Sequence, residues 1–284
     1  MDLATLVPLG LKASVAVLVF GLGLEADFAD AFYLFRRPLQ LIRSLFSINI
    51  VMPLFAAALA ALFDLHPAVK IALVALAVSP VPPILPRRQG KVAARASYPI
   101  GLLVAAGLLA IVFVPIAVEL LGWEFGADAH ISFAAIAKLV VMTVLGPLLT
   151  GIVFCSVAPA FAARISRPMS LIATLLLFIC AAAILFGAGP AIVSLIGNGT
   201  IIALAAFILI GLGTGHLLGG PGAEDRSVLA LATACHHPGI ALAIANANFP
   251  QQKLAPAAVL LYLVLTLVLV IPYVKWRRSL KQGA

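Results

Sequence analysis

Apolar residues run along this chain in blocks of about 20, the length a helix needs to cross the hydrocarbon core of a bilayer. Short turns rich in Gly, Pro and charge divide the blocks. The pattern predicts nine spans: Thr5–Leu24, Leu39–Phe63, Ala68–Pro86, Val92–Leu121, Ile131–Val157, Pro168–Ala188, Ile192–Leu218, Ser227–Asn248 and Ala255–Val274. Pro53 is expected to kink the second. Two spans carry a polar or proline interruption in mid-block. In the eighth, Thr233, Cys235, His236, His237, Pro238 and Gly239 sit among apolar residues. Pro238 has no N–H and clashes with the carbonyl of Ala234, and Gly239 loosens the chain further. In the third, Pro80, Pro82 and Pro83 withdraw three donors, leaving the carbonyls of Leu76, Val78 and Ser79 without helical partners. A helix broken at membrane depth must face protein or a water-filled cavity, because lipid cannot satisfy freed backbone groups.

Composition agrees with an all-α polytopic membrane protein. The 284 residues are 64% hydrophobic and 10% charged, with a mean hydropathy of +1.20; a soluble domain carries about 25% charged residues. A net charge of +8 would suggest nucleic acid in a soluble protein, but here the basic residues fall in short loops. With the N-terminus outside, fourteen of the 18 Lys and Arg residues lie in loops predicted inside, among them Arg36, Arg37, Arg43, Arg87, Arg88, Lys91, Arg95, Arg164, Arg167 and Arg226. The remaining four are Lys12, Lys70, Lys138 and Lys253. This alternation follows the positive-inside rule and predicts a cytoplasmic C-terminus. Lys12 and Lys138 either snorkel to an interface or border a solute path. Cys155, Cys180 and Cys235 all lie in apolar runs, which argues against a disulfide framework. Met1-Asp2 has no basic lead, so the first run reads as a retained helix rather than a cleaved signal.

The third and eighth spans are five apart and cross in opposite directions. Interrupted helices at matching places in two oppositely oriented halves point to an inverted-repeat transporter with its site at the crossing; the bland alternative is a pair of ordinary proline kinks. Three stretches carry a family resemblance. Phe20 to Leu54, with its Gly-Leu-Gly-Leu, acidic turn, Arg-Arg-Pro and Met-Pro, is similar to the early helices of the bile acid:sodium symporter family. Ser79-Pro80 leading to Gly90, and Glu224 to Ala245, are placed like its two crossover motifs. Some members carry one more helix before the first one here. The resemblance implies a single transporter domain in two parts: a panel of about residues 1–37 and 122–190, and a core of about 38–121 and 191–284. It implies a small organic anion bound between them, alternating access, and in much of the family a sodium gradient as driving force. It also implies no cofactor, no nucleic-acid partner, no enzymatic activity, a bilayer setting such as a bacterial inner membrane, and either a monomer or a homodimer.

The chain departs from the family where sodium would bind. Val81-Pro82 and Leu85-Pro86 replace Gly-Gly and Ser-Asn; Ala232, His236 and His237 replace Glu and Gln-Asn; Ile48, beside Asn49, replaces Gln. A carboxylate and four amides are gone, and only freed carbonyls near Ser79 and Ala234 offer oxygens in exchange. The coupling ion is therefore left as proton or sodium. Histidine titrates near neutral pH, so His236 and His237 are candidates for proton coupling; the alternative is that they cap the broken ends by bonding free carbonyls. Candidate binding residues are Ser79, Thr233, Cys235, His236, His237, Asn246 and Asn49, around breaks made by Pro80, Pro82, Pro83, Pro238 and Gly239. Asn246 and Asn248 either line the cleft or cap the end of their helix. No Asp or Glu near the histidines completes a metal shell. Competing classes are a membrane-embedded enzyme using His236 or His237, a cation–proton exchanger, and a transporter-derived protein that no longer transports.

Overall fold

The computed structural model describes residues 3–83, 97–124 and 129–282. Every regular element there is helical, and no strand occurs among the described residues. The helices are α1 (Leu3–Gly23), the short α2 (Phe28–Ala31), α3 (Pro38–Leu62), α4 (Pro67–Val78), α5 (Ser97–Glu124), α6 (Phe133–Val157), α7 (Pro159–Gly187), the short α8 (Gly189–Ser194), α9 (Thr200–Leu218), α10 (Ala223–Ala234), α11 (Pro238–Asn248) and α12 (Ala255–Gln282). Counting α10 and α11 as one interrupted span, eight are long and apolar enough to cross a membrane, and α4 is a shorter apolar helix. Leu85, Pro86, Arg87, Arg88, Gly90, Lys91 and Arg95 lie outside the described residues.

Some features differ from the sequence pattern for local reasons. The helix α3 runs on through Pro53. Residues Ser47–Val51 form a π-helical turn before it, and the wider turn absorbs the missing donor. A second π turn, Val141–Leu145, precedes Gly146-Pro147 in α6. The sixth span begins not at Pro168 but nine residues earlier, with Pro159 in the first turn, where its missing N–H costs nothing. At about 43 Å, α7 is longer than the hydrocarbon core, and Arg164 and Arg167 are exposed near its first turns. The seventh span starts only at Thr200. Gly197, Asn198 and Gly199 all have positive φ (150°, 42° and 77°), which stops the helical run begun by α8.

Packing sorts the helices. α1 lies against α6 and α7, while α4 is enclosed by α3, α5, α11 and α12. The outer face of α7 exposes Leu171, Ile172, Leu175, Phe178 and Ile179, as a lipid-facing helix does. A close backbone contact joins α9 and α10, where Gly211, Gly215 and Gly219 form a stripe at four-residue spacing. A Cβ on Gly211 would sit 2.8 Å from the Thr233 carbonyl oxygen, and one on Gly215 would overlap the backbone of Leu229 and Ala230. Small residues at this spacing let helix backbones touch. α10, which carries the second break, is thereby fixed in position by α9.

The turn before α3, the starts of α5 and α10 and the end of α12 meet at one end. Tyr33, Arg37, Tyr98, Ala223 and Asp225 line one cavity there, and the Arg277 side chain donates to Ser227 Oγ (2.8 Å) and to the Ala223 carbonyl. At the opposite end His130 pairs with Glu119 (2.6 Å), and Asn248 accepts from the His130 N–H.

The glycine stripe gives a paired expectation for thermal unfolding in detergent. Gly215→Ala should lower stability by about 1–3 kcal/mol, because the added methyl meets backbone. Gly213→Ala, whose Cβ meets nothing within 4 Å, should be neutral or stabilising by about 0.5–1 kcal/mol.

Candidate functional site

Both interruptions are true breaks, and they meet. α4 ends at Val78, and Ser79 is extended (φ −78°, ψ 142°). α10 ends at Ala234, Cys235 is extended (φ −115°, ψ 122°), and α11 starts at Pro238. The His237 N–H donates to the Pro80 carbonyl across the crossing at 2.8 Å. The His236 ring places Nδ1 3.2 Å from the Ser79 carbonyl. That oxygen can only accept, so Nδ1 carries the proton and donates.

Several of the groups freed by the prolines have protein partners. The Leu76 carbonyl accepts from the Ser79 N–H (2.9 Å) in a tightened last turn. The Ala234 carbonyl accepts from the Tyr262 hydroxyl (2.8 Å), and the same hydroxyl accepts from the His236 N–H (3.0 Å). Tyr262 in α12 thus spans the break in the α10–α11 helix with one oxygen. Ser79 Oγ turns back to the Ala75 carbonyl (2.6 Å). Thr233 Oγ1 bonds Ser47 Oγ (2.8 Å), joining the π turn of α3 to the second break. Phe207 of α9 packs on the His236 ring with centroids 5.2 Å apart, and Tyr262 closes the group at 6.4 Å.

The two histidines do different things. His237 is the N-cap of α11: its Nδ1 accepts from the N–H groups of Gly239 (3.1 Å) and Ile240 (3.3 Å). An accepting Nδ1 is unprotonated, so the neutral ring carries its proton on Nε2. His236 has the opposite tautomer, Nδ1–H with a bare Nε2. Both Nε2 atoms are buried with no hydrogen-bond partner. Of the two capping possibilities, His236 bonds a free carbonyl of the other break, whereas His237 accepts from free N–H groups of its own helix. His66 repeats the device at the start of α4, with Nδ1 accepting from the Ala68 N–H (3.2 Å) before Pro67.

The candidates named from sequence divide accordingly. Ser79, Pro80, Thr233, Cys235, His236 and His237 are buried together at the crossing, with Pro82 and Pro83 buried just beyond Pro80. Pro238 is half-buried and Gly239 exposed, so the crossing opens on that side. Asn49 is buried in the π turn, but the side chain that reaches the crossing from that turn is Ser47. Asn246 is exposed at the far end of α11; Asn248 bonds the Ile244 carbonyl (2.9 Å) as a helix-end residue does. Lys12 and Lys138 are exposed. Sequence reasoning missed Tyr262, Phe207 and Ser47. No local signal marks the two aromatics, since each sits in an unbroken apolar helix.

Among the described residues no group of three or more His, Cys, Asp or Glu is placed to hold a metal ion. The oxygens of Ser79, Pro80 and Ala234 each accept from a protein donor, and neither imidazole is bonded to a carboxylate.

The N-cap on α11 can be isolated by substitution. His237→Ala should cost about 0.5–2 kcal/mol in thermal unfolding, and His237→Asn, itself a good capping residue, should recover most of it.

Two comparisons with known proteins bear on this arrangement. A family model described as Sodium Bile acid symporter family matches residues 13–219, which is more than half of the chain. The chain belongs to that family. The matched residues contain the first break and end just before α10. No curated protein matches the chain.

Proposed function

We propose that this member of the sodium bile acid symporter family carries a small organic anion across a bilayer by alternating access, moving the solute past the crossing of α4 with α10 and α11. The observation that carries the proposal is the direct backbone bond between the breaks, His237 N–H to Pro80 carbonyl at 2.8 Å. Backbone without helical bonds is tolerated at membrane depth where it borders a binding site. In this reading α1, α6 and α7 form the panel, within residues 1–37 and 122–190, and the remaining helices the core. The packing of α1 against α6 and α7 supports the division, with α6 also lying against α5. The two halves are inverted repeats, the end that gathers Arg36, Arg37, Arg43 and Arg277 faces the cytoplasm, and the membrane is a bacterial inner membrane. Substrate anions are favoured by the positive N-terminal end of α11 at the crossing.

Coupling differs from that of the family's usual sodium site. The site lacks a carboxylate, and its free oxygens are bonded within the protein. A proton is the second candidate, and one observation favours His236 for it. A proton added at His236 Nε2, which has no partner, leaves the Nδ1–H bond to Ser79 in place. The imidazolium would then rest on the faces of Phe207 and Tyr262. A proton on His237 has to go to Nδ1 and removes the cap of α11. The groups around His236 that titrate are His237, Cys235 and Tyr262.

Purified protein in proteoliposomes, offered radiolabelled cholate and a panel of short carboxylates, should show saturable flux. That flux should be largely indifferent to replacing sodium by choline, and a strict sodium requirement would overturn this part. His236→Ala should change the pH profile of the flux and His237→Asn should not. Identical profiles in all three proteins would remove the proton role of His236. Absence of flux for every anion tested, with the protein folded in the bilayer, would count against transport itself.

A further inference from the structure

We propose that His236 and Tyr262 are a built-in substitute for a coupling cation: their N–H and O–H groups fill the carbonyl oxygens that the two helix breaks present to each other. The functional meaning of this proposal rests on the transporter reading above; its structural content does not.

A proline break leaves carbonyl oxygens that need positive charge from water, from a cation or from a donor group. In broken-helix transporters unwound carbonyls commonly take a cation. Here the Ser79 oxygen has the His236 ring N–H, from a residue 157 positions further on, and the Ala234 oxygen has the Tyr262 O–H. These donors come from two different elements and reach both breaks. The Tyr262 oxygen is used on its other side too, accepting the His236 N–H at 3.0 Å. Phe207 lies against the imidazole and, with Tyr262, fixes its plane. Phe207, Tyr262 and His236 are all buried, at 0%, 0% and 1% exposure, so the arrangement is sealed rather than water-filled. Like an ion, it offers positive charge to an oxygen of each break. Unlike an ion it cannot leave, so the crossing is assembled in the absence of any gradient. His236 and Tyr262 are accordingly positioning residues. Removing their donors uncovers the Ser79 and Ala234 carbonyls, oxygens of the kind sodium prefers; Thr233, whose hydroxyl bonds Ser47, is the residue before Ala234.

The test is the melting temperature of the purified full chain in detergent, titrated with sodium chloride or choline chloride at equal ionic strength. Ligand that binds the native state raises apparent stability in a saturable way. The wild-type protein should melt identically in the two salts; a saturable rise specific to sodium would overturn the proposal without any variant. The double variant Tyr262→Phe with His236→Ala should melt lower in choline and recover part of the loss in sodium. If it is folded and gains nothing from sodium, the proposal fails. If it does not fold, Tyr262→Phe alone decides, since it keeps the ring and its packing. Its loss in choline should be partly restored by sodium, and a loss equal in both salts overturns the proposal. A purely structural role for Tyr262 gives that equal loss. Anion flux is not read in this experiment, so a failure here and a failure of the transport reading remain distinguishable.

Discussion

Hydrocarbon offers no hydrogen bonds, and the architecture around the crossing follows from that constraint. Prolines at positions 80, 82, 83 and 238 strip the backbone of donors where water is absent. Four carbonyls at the breaks have protein partners: Leu76 from its own turn, Ser79 from His236, Pro80 from the His237 N–H, Ala234 from Tyr262. An unpaired buried carbonyl or N–H costs about 1–3 kcal/mol, so several left open together would consume much of a typical stability of about 5–15 kcal/mol. The breaks are therefore possible only because they lie against one another and against α12.

Bringing them together is the work of ordinary packing. The glycine stripe of α9 holds α10 at backbone contact, so the second break sits at a fixed height beside Phe207. The π turn in α3 solves the problem of Pro53 and at the same time delivers Ser47 to Thr233. The α4 helix, closed in by α3, α5, α11 and α12, cannot move away from the crossing without disturbing all four. By contrast α1, α6 and α7 are packed chiefly on each other, and the outer face of α7 is lined with exposed Leu, Ile and Phe.

The histidine pair shows how adjacent identical side chains acquire different chemistry. His237 spends Nδ1 on the first N–H groups of α11, and that fixes its proton on Nε2. His236 spends Nδ1–H on the opposite break, and that leaves Nε2 bare. The tautomers are set by the helix ends, not by the residues themselves.

Much of this was legible in the chain itself. The apolar blocks and the sparse charges determined an all-helical membrane protein, because ~20-residue apolar runs admit few other solutions. The prolines determined where two helices must break. His-Pro at 66–67 and 237–238 is a helix-start signal in hindsight: proline needs no partner in the first turn, and the imidazole accepts the next N–H. Residues Phe20 to Leu54 carried enough of the family pattern to be recognised. The chain alone did not settle which residue completes each break. Tyr262 and Phe207 look like any aromatics in an apolar helix, and Ser47 acts only because a π turn re-aims it. Those assignments depend on which surfaces meet across the chain, 28 residues apart for Tyr262 and Ala234 and 186 apart for Ser47 and Thr233. Local pattern fixes where the donors are missing; only the tertiary contact decides who replaces them.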